Sequence, residues 1–207
     1  MHPNPDFRQT PEARNIAFAR ARGFGLLCVG GEGAPLISHV PFLLSEDGHV
    51  AELHLVRSNP IMRLLKERQA VRLAVEGPHS YVSPAWYEAT DQVPTWNYIA
   101  VHLVGQLELL PQERLEDILA RQSALFEAQL APKAPWTMGK MDADVKTRMM
   151  RQIVPCRIDV EEIHGTWKLN QNKPEDVRLR AADKVEAEGL GTGLGELARA
   201  MRDAAPD

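Results

Sequence analysis

The chain has 207 residues, of which 44% are hydrophobic and 25% charged, with a formal net charge of −4 and a pI near 6.0. That suffices for one sizeable core with a tail, and no block of roughly five or six like charges supplies the electrostatic footprint of a nucleic-acid-binding surface. No run approaches the ~18 apolar residues of a membrane span, and MHPNPDFRQT lacks a basic stretch followed by an apolar one, so a cytoplasmic protein with no membrane partner is expected.

Thr10-Pro11-Glu12 predicts a helix start, with a Thr cap, Pro at the first helical position and an acid in the first turn. The helix should run from Pro11 to Arg22 and stop at Gly23. Phe24 to Val29 reads as a strand entering the turn Gly30-Gly31-Glu32-Gly33. The returning run, Ala34 to Leu44, places Leu36, Val40, Phe42 and Leu44 on one face and Ile37, His39, Pro41 and Leu43 on the other. Val50 to Val56 alternates likewise, with Ala51, Leu53 and Leu55 opposite Val50, Glu52, His54 and Val56. Asn59 caps and Pro60 opens a short helix, after which Val71, Leu73 and Val75 mark a strand ending at Gly77-Pro78. Asn97 to Leu110 is a long strand, whose length and mixed second face suit a barrel or a subunit interface. Pro111 opens an amphipathic helix whose stripe of Leu115, Ile118, Leu119 and Phe126 is interrupted by Gln122. A helix over Asp142–Gln152, a strand over Cys156–Ile163 and a last long helix from Pro174 to Glu188 complete the pattern. Gly189, Gly191, Gly193 and Gly195 do not fit GxGxxG and predict a flexible joint before a short terminal helix. The expected organisation is therefore a domain over residues 1–188, then a Gly-rich joint with a short helix over 189–207. Cys28 and Cys156 stand alone in apolar runs and read as reduced core thiols.

Three places have the composition of a site. Gly77 to Gln106 gathers Tyr81, Trp86, Tyr87, Trp96 and Tyr98 with prolines between two strand-like runs, which suits either the wall of a pocket for a flat ligand or a hydrophobic clamp closing a barrel end. Val56-Arg57-Ser58-Asn59-Pro60 joins a strand to a helix start, where free N–H groups beside Arg57 could cradle a phosphate or serve as a plain cap. Trp167 to Lys173 is dense in amide and ammonium donors, fit for a heteroaromatic edge or an anion, or for a capped loop. His39, His54, His79, His102 and His164 show no metal-site spacing, so no metal site is expected. GxSxG, a P-loop and a Cys/His nucleophile pair are all missing.

The order of motifs resembles a known family. Asn4-Pro5-Asp6-Phe7, Ser38-His39-Val40-Pro41, His54 followed by Ser58-Asn59-Pro60, Gly77 to Tyr87, Val93-Pro94-Thr95-Trp96-Asn97-Tyr98 and Trp167 to Asn172 are similar to those of the PaiB-like FMN-binding negative transcriptional regulators, over residues 1 to 180. The resemblance implies a mainly β fold with peripheral helices (α+β), a split β-barrel of the pyridoxamine-phosphate-oxidase type, and a homodimer with FMN near the interface. The residues it places at the cofactor are His39, His54, Arg57, Ser58, Asn59, Tyr81, Thr95, Trp96, Lys168, Gln171 and Asn172. Asn170 departs from the serine of the family motif, and the Gly-rich end lies outside the pattern.

The leading expectation is a flavoprotein regulator, with flavin-linked redox sensing as its role. A second reading is an FMN-dependent oxidoreductase using NAD(P)H, in which the cofactor carries the chemistry and no catalytic side chain need stand out. A third is a haem-binding or haem-degrading protein on the same scaffold, with one of the histidines as iron ligand. DNA is the weakest partner: no basic recognition helix is visible, and Arg178, Arg180 and Lys184 alternate with Asp183, Glu186 and Glu188 as on a solvated face.

Overall fold

A computed structural model describes residues 1–31 and 33–204. Glu32 of the expected first turn and the end of the expected terminal segment, 205–207, lie outside the described residues. In chain order the elements are α1 (Glu12–Arg22), β1 (Phe24–Val29), β2 (Leu36–Leu44), β3 (Val50–Val56), β4 (Gln69–Val82), β5 (Thr95–Leu109), α2 (Leu115–Ala128), α3 (Ala143–Met150), β6 (Ile153–Lys168), α4 (Glu175–Glu188), β7 (Leu190–Thr192) and α5 (Leu194–Asp203). The strand order is β1-β2-β3-β6-β5-β4-β7, and a further pairing of β1 with β4 closes six strands into a barrel. This is the split-barrel architecture expected from the sequence.

The chain divides into two compact units. The barrel unit comprises Ile16–Val75 and Leu103–Ile163, and the second unit comprises Met1–Asn15, Glu76–His102 and the chain from His164 onward. In the barrel unit, alternation sends one face of each strand inward: Val40, Phe42 and Leu44 of β2 and Ala51, Leu53 and Leu55 of β3 are buried, as the pattern predicts. Leu27, Leu73, Leu103 and Leu107 join them at 0% exposure. Each such side chain contributes about 1.5–3 kcal/mol when fully buried. β5 approaches β6 so closely at Gly105 that a Cβ there would collide with the Asp159 carbonyl oxygen, which is why this position has no side chain. Outward-facing charges form networks instead. Arg157 meets Glu108 and Asp159, each at 2.9 Å, with Arg68 on the same two acids, while Glu52 takes Arg114 at 3.1 Å and Arg121 at 2.6 Å.

In the second unit, α4 buries Val177, Ala181 and Val185, and α5 buries Leu197, Ala198 and Met201. Its strands are the far halves of β4, β5 and β6, with β7 added on β4 through His79↔Thr192, Ser80↔Gly191 and Tyr81↔Leu190.

Several boundaries differ from the sequence pattern for identifiable reasons. β4 continues through Gly77-Pro78 to Val82, with Pro78 falling between the stretch paired with β1 and the stretch paired with β7. β6 runs from Ile153 to Lys168, longer than expected at both ends; Glu161, Glu162, His164 and Gly165 had masked its alternation. The helix at Pro60 is a four-residue 3-10 turn, Pro60–Arg63. A 3-10 turn at Gln112–Arg114 likewise precedes α2. The expected joint is not a loop: Leu190–Thr192 form β7, and Gly193, at φ +64°, makes the turn into α5. Arg178 is buried at 1% exposure rather than lying on a solvated face. Arg180 and Lys184 do lie there, ion-paired with Asp176 and Glu188 of the same helix at 2.9 Å each. Cys156 is buried and its thiol is pushed up to about 12 by that burial, whereas Cys28 is only half-buried; both are free. Among the described residues no helix is long and apolar enough to cross a membrane.

Candidate functional site

The expected site residues fall into two groups, one in each unit. In the second unit the end of β6 brings Lys168 beside the start of β5, and its Nζ donates to Thr95 Oγ1. The ammonium also lies 5.7 Å from the centre of the Phe7 ring. No acid pairs with Lys168 among the described residues, and burial holds its ammonium below the usual lysine value. Trp96, next to Thr95, is 48% exposed and meets Tyr81 edge-on at 6.2 Å. His79 approaches the same indole at 6.0 Å. Lys168 and Thr95 thus meet through one face of β5, while Tyr81, His79 and Trp96 form an aromatic cluster on the other, because neighbouring residues of a strand point to opposite faces.

Gln171 is engaged as in the capped-loop reading of this segment. Its Oε1 accepts from Leu169 N at 2.8 Å, while its Nε2 donates to Trp167 O at 2.7 Å and to Asp6 O at 2.9 Å. It therefore clamps the loop and ties it to the N-terminal segment. Asn172 is exposed and the structure does not bring it to these residues. Asn170 stands at φ +63°, a left-handed conformation that Asn tolerates better than most residues, and its Nδ2 donates to Tyr87 Oη at 3.2 Å. Trp167 is fixed by donating from Nε1 to Asn15 Oδ1 at 2.7 Å, with the Arg14 guanidinium 4.3 Å from its ring centre.

In the barrel unit, Arg57, Ser58 and Asn59 follow the end of β3. Asn59 Oδ1 accepts from Ile61 N at 3.0 Å and caps the 3-10 turn, while its Nδ2 donates to Ser38 Oγ at 3.1 Å. The turn is too short to carry a helix dipole, so an anion here would rest on side chains and not on the helix end. Arg57 supplies the charge. Its Nε donates to Arg151 O at 3.0 Å and its Nη2 to Gln112 Oε1 at 3.1 Å, and no carboxylate pairs with it among the described residues. His39 is exposed on β2 and stacks on Phe24 at 6.2 Å. His54 sits on the outward face of β3, and burial lowers its imidazole pKa below 6.5, with the nearby Gln122 carboxamide partly offsetting this; its Nδ1 is buried without a hydrogen-bond partner. Arg57, Ser58 and Asn59 are thus brought together, while His39 and His54 each have other neighbours. Among the described residues no three His, Cys, Asp or Glu side chains are grouped to hold a metal ion.

Residues 1–162 match the family described as "Putative FMN-binding domain". The chain belongs to that family. This FMN-binding domain protein is 28% identical over 187 residues to the protease synthase and sporulation protein PAI 2 of Bacillus subtilis (strain 168), covering 89% of each chain, and the PaiB-like resemblance stands. Its fold is similar to that of the FAD and haem binding protein from Mycobacterium smegmatis, with a TM-score of 0.58 at 14% identity over 89% of this chain and 82% of that one. It is also similar to the flavocytochrome Anf3 from Azotobacter vinelandii, with a TM-score of 0.53 at 12% identity over 78% of this chain and 69% of that one. FMN, the cofactor expected from the sequence, is the ligand that the family description carries.

The residues present fit such a group. FMN joins a dianionic phosphate to a flat, hydrogen-bonding ring; within the barrel unit Arg57 is a cation held only by neutral acceptors, and within the second unit Lys168 is another, with Tyr81 and Trp96 offering half-exposed aromatic faces. Sequence reasoning missed Gln112, which accepts from Arg57 while its Nε2 donates to Met150 O and Ile153 O at 3.2 Å each. A glutamine just before a helix has no local signal of that role. It also left Phe7 outside the site residues, although the motif Asn4 to Phe7 had pointed to this segment.

Proposed function

We propose that this protein binds FMN as a homodimer, with the cofactor near the interface, and acts as a flavin-linked redox regulator. The observation that carries the reading is that Arg57 and Lys168, one cation in each unit, have no carboxylate to compensate their charge among the described residues, whereas Arg68, Arg114, Arg121, Arg180 and Arg202 are all ion-paired. Bound FMN supplies one- and two-electron chemistry. Arg57, Ser58 and Asn59 hold the phosphate, with Arg57 providing the charge-assisted hydrogen bonds. Across the proposed dimer interface, Tyr81 and Trp96 of the other protomer present apolar faces to the ring, and its Lys168, oriented by Thr95, donates to the polar edge. Gln171 contributes by fixing the loop that carries Lys168. Direct DNA binding gains no support from α4, whose exposed cations are spent on its own acids.

The test is the visible absorption spectrum of the purified protein with and without added FMN, followed by titration of Arg57→Ala and Lys168→Met. Each variant should weaken FMN about ten-fold, the loss of one charge-assisted contact. Lys168→Met should also move the flavin midpoint potential to more negative values, since a nearby cation favours the electron-rich reduced form. A colourless protein that refuses FMN would sink the reading. A monomer mass in light scattering at micromolar concentration would remove the dimer, and steady turnover with NADH or NADPH would favour the oxidoreductase instead.

A further inference from the structure

Beyond the Gln112 side chain that bonds Met150 O and Ile153 O, the barrel unit contains a hollow of about 270 Å³. Four methionines line it, Met138, Met141, Met149 and Met150, together with Trp136. Leu119 of α2, Val56 at the end of β3 and Ile153 at the start of β6 complete the apolar lining. Val56, Met149 and Trp136, at 53%, 54% and 38% exposure, are among the large apolar side chains that this fold leaves most open, and all three border the one hollow. A second hollow of about 290 Å³ shares Ser123, Trp136 and Met138 with it, so the Trp136 indole borders both.

From this lining we infer a binding site for a small, uncharged, planar apolar molecule, two fused or linked rings in size, that has no part in the flavin chemistry. Size comes from volume: an apolar cavity of about 150 Å³ accepts a single benzene ring. Planarity comes from Trp136, whose face offers stacking. Tolerance comes from the methionines, whose unbranched thioether chains repack around different shapes. Absence of charge follows from the polar groups. The one cation lining the hollow, Lys146, lies 2.7 Å from Glu116 Oε1 and is neutralised, so a charged guest would be desolvated with nothing to pair it. Ser123 and Gln152 leave room for a single neutral donor or acceptor on the guest.

The sequence provides its own control. Of the seven methionines, four line the hollow and three, Met1, Met62 and Met201, do not. The full chain, with methionine methyls labelled with carbon-13, is titrated with N-phenyl-1-naphthylamine, an uncharged two-ring fluorophore, first alone and then with FMN present. Saturable fluorescence enhancement at one site per chain is expected, with methyl shifts at Met138, Met141, Met149 and Met150 and none at Met1, Met62 and Met201. Val56→Lys and Met149→Lys, both at exposed positions that the fold tolerates, should each weaken the probe about ten-fold by placing an unpaired charge at the mouth. Enhancement without saturation, shifts confined to the three control methionines, or unchanged affinity in both variants overturns the site. So does exclusion of the probe as the chain associates in light scattering, which would make the hollow a seam between copies. Because the probe is followed without flavin first, failure to bind FMN leaves this result readable on its own.

Discussion

The outer surface of the barrel unit and the segment 167–173 of the second unit use the same residue types in opposite ways. On the barrel, four guanidinium groups away from Arg57 find carboxylates: Arg157 and Arg68 share Glu108 and Asp159, and Glu52 takes Arg114 and Arg121. Along 167–173 the cations find neutral oxygens and rings. Lys168 donates to Thr95, and Lys173 donates to Gln92 Oε1 at 2.6 Å with the Tyr87 ring 5.3 Å away. A paired surface charge contributes little to stability and offers little to a ligand. A half-buried charge with only dipoles around it destabilises the fold somewhat and remains available to an anion. The difference separates scaffold from candidate site more cleanly than residue identity does.

The sharpest way to break this comparison is at the backbone. Gly105→Ala should cost the barrel about 3 kcal/mol or more in urea unfolding, because a methyl group there meets the Asp159 carbonyl. Gly191→Ala, at φ +147° and facing the His79 carbonyl, should release β7 and cost visibly less. Equal losses would erase the distinction between a closed barrel and an added strand. Next in size, Trp167→Phe leaves the Asn15 Oδ1 acceptor, at 4% residue exposure, without its donor and should cost about 1–3 kcal/mol. Arg68→Gln, in the half-exposed barrel network, should cost about 0–1 kcal/mol by the same measurement.

Protonation gives a finer test. His54 is held neutral in the fold by burial, so the unfolded chain binds its proton more readily. Stability should therefore fall as pH drops below 6.5 toward the folded-state value, and His54→Gln should flatten that part of the profile. Lys168 is lowered too, which puts its window at the other end: stability should rise as pH climbs from the folded-state value toward 10.5, and Lys168→Met should abolish the rise while weakening FMN. The smallest effect is chemical. At pH 8 a thiol reagent should modify Cys28, and Cys156 only after unfolding, since its pKa near 12 leaves almost no thiolate.

Much of the fold was legible because alternation is a local signal. β1 and β3 appear with the expected bounds, and the inward faces of β2 and β3 are those the pattern picked. What escaped was decided by neighbours distant in sequence. Pro78 sits within a strand, between the stretches paired with two partner strands, and Leu190–Thr192 become a strand because β4 has an edge to offer. Arg178 looked like a surface residue until α4 packed it inside. The site shows the same division. Arg57, Trp96 and Lys168 stood out by type, but the Thr95 hydroxyl under Lys168 and the Gln112 carboxamide under Arg57 come from residues 73 and 55 positions away. Gln171, chosen for its donors, spends them on Trp167 of its own loop and on Asp6 of the N-terminal segment.

The chain passes between the two units at four places, after Asn15, Val75, His102 and Ile163. The first lies inside α1 and the others inside β4, β5 and β6. Domain borders usually fall in exposed, pliable linkers; here every border is hydrogen-bonded backbone. Neither unit is therefore encoded by one contiguous stretch of gene. A truncated clone of either half would begin or end in mid-strand, limited proteolysis has no natural seam to open, and an insertion meant to separate the two would have to break a ladder. For expression, tagging or fusion, the protein is indivisible, and its two halves must have been inherited, and must now be altered, together.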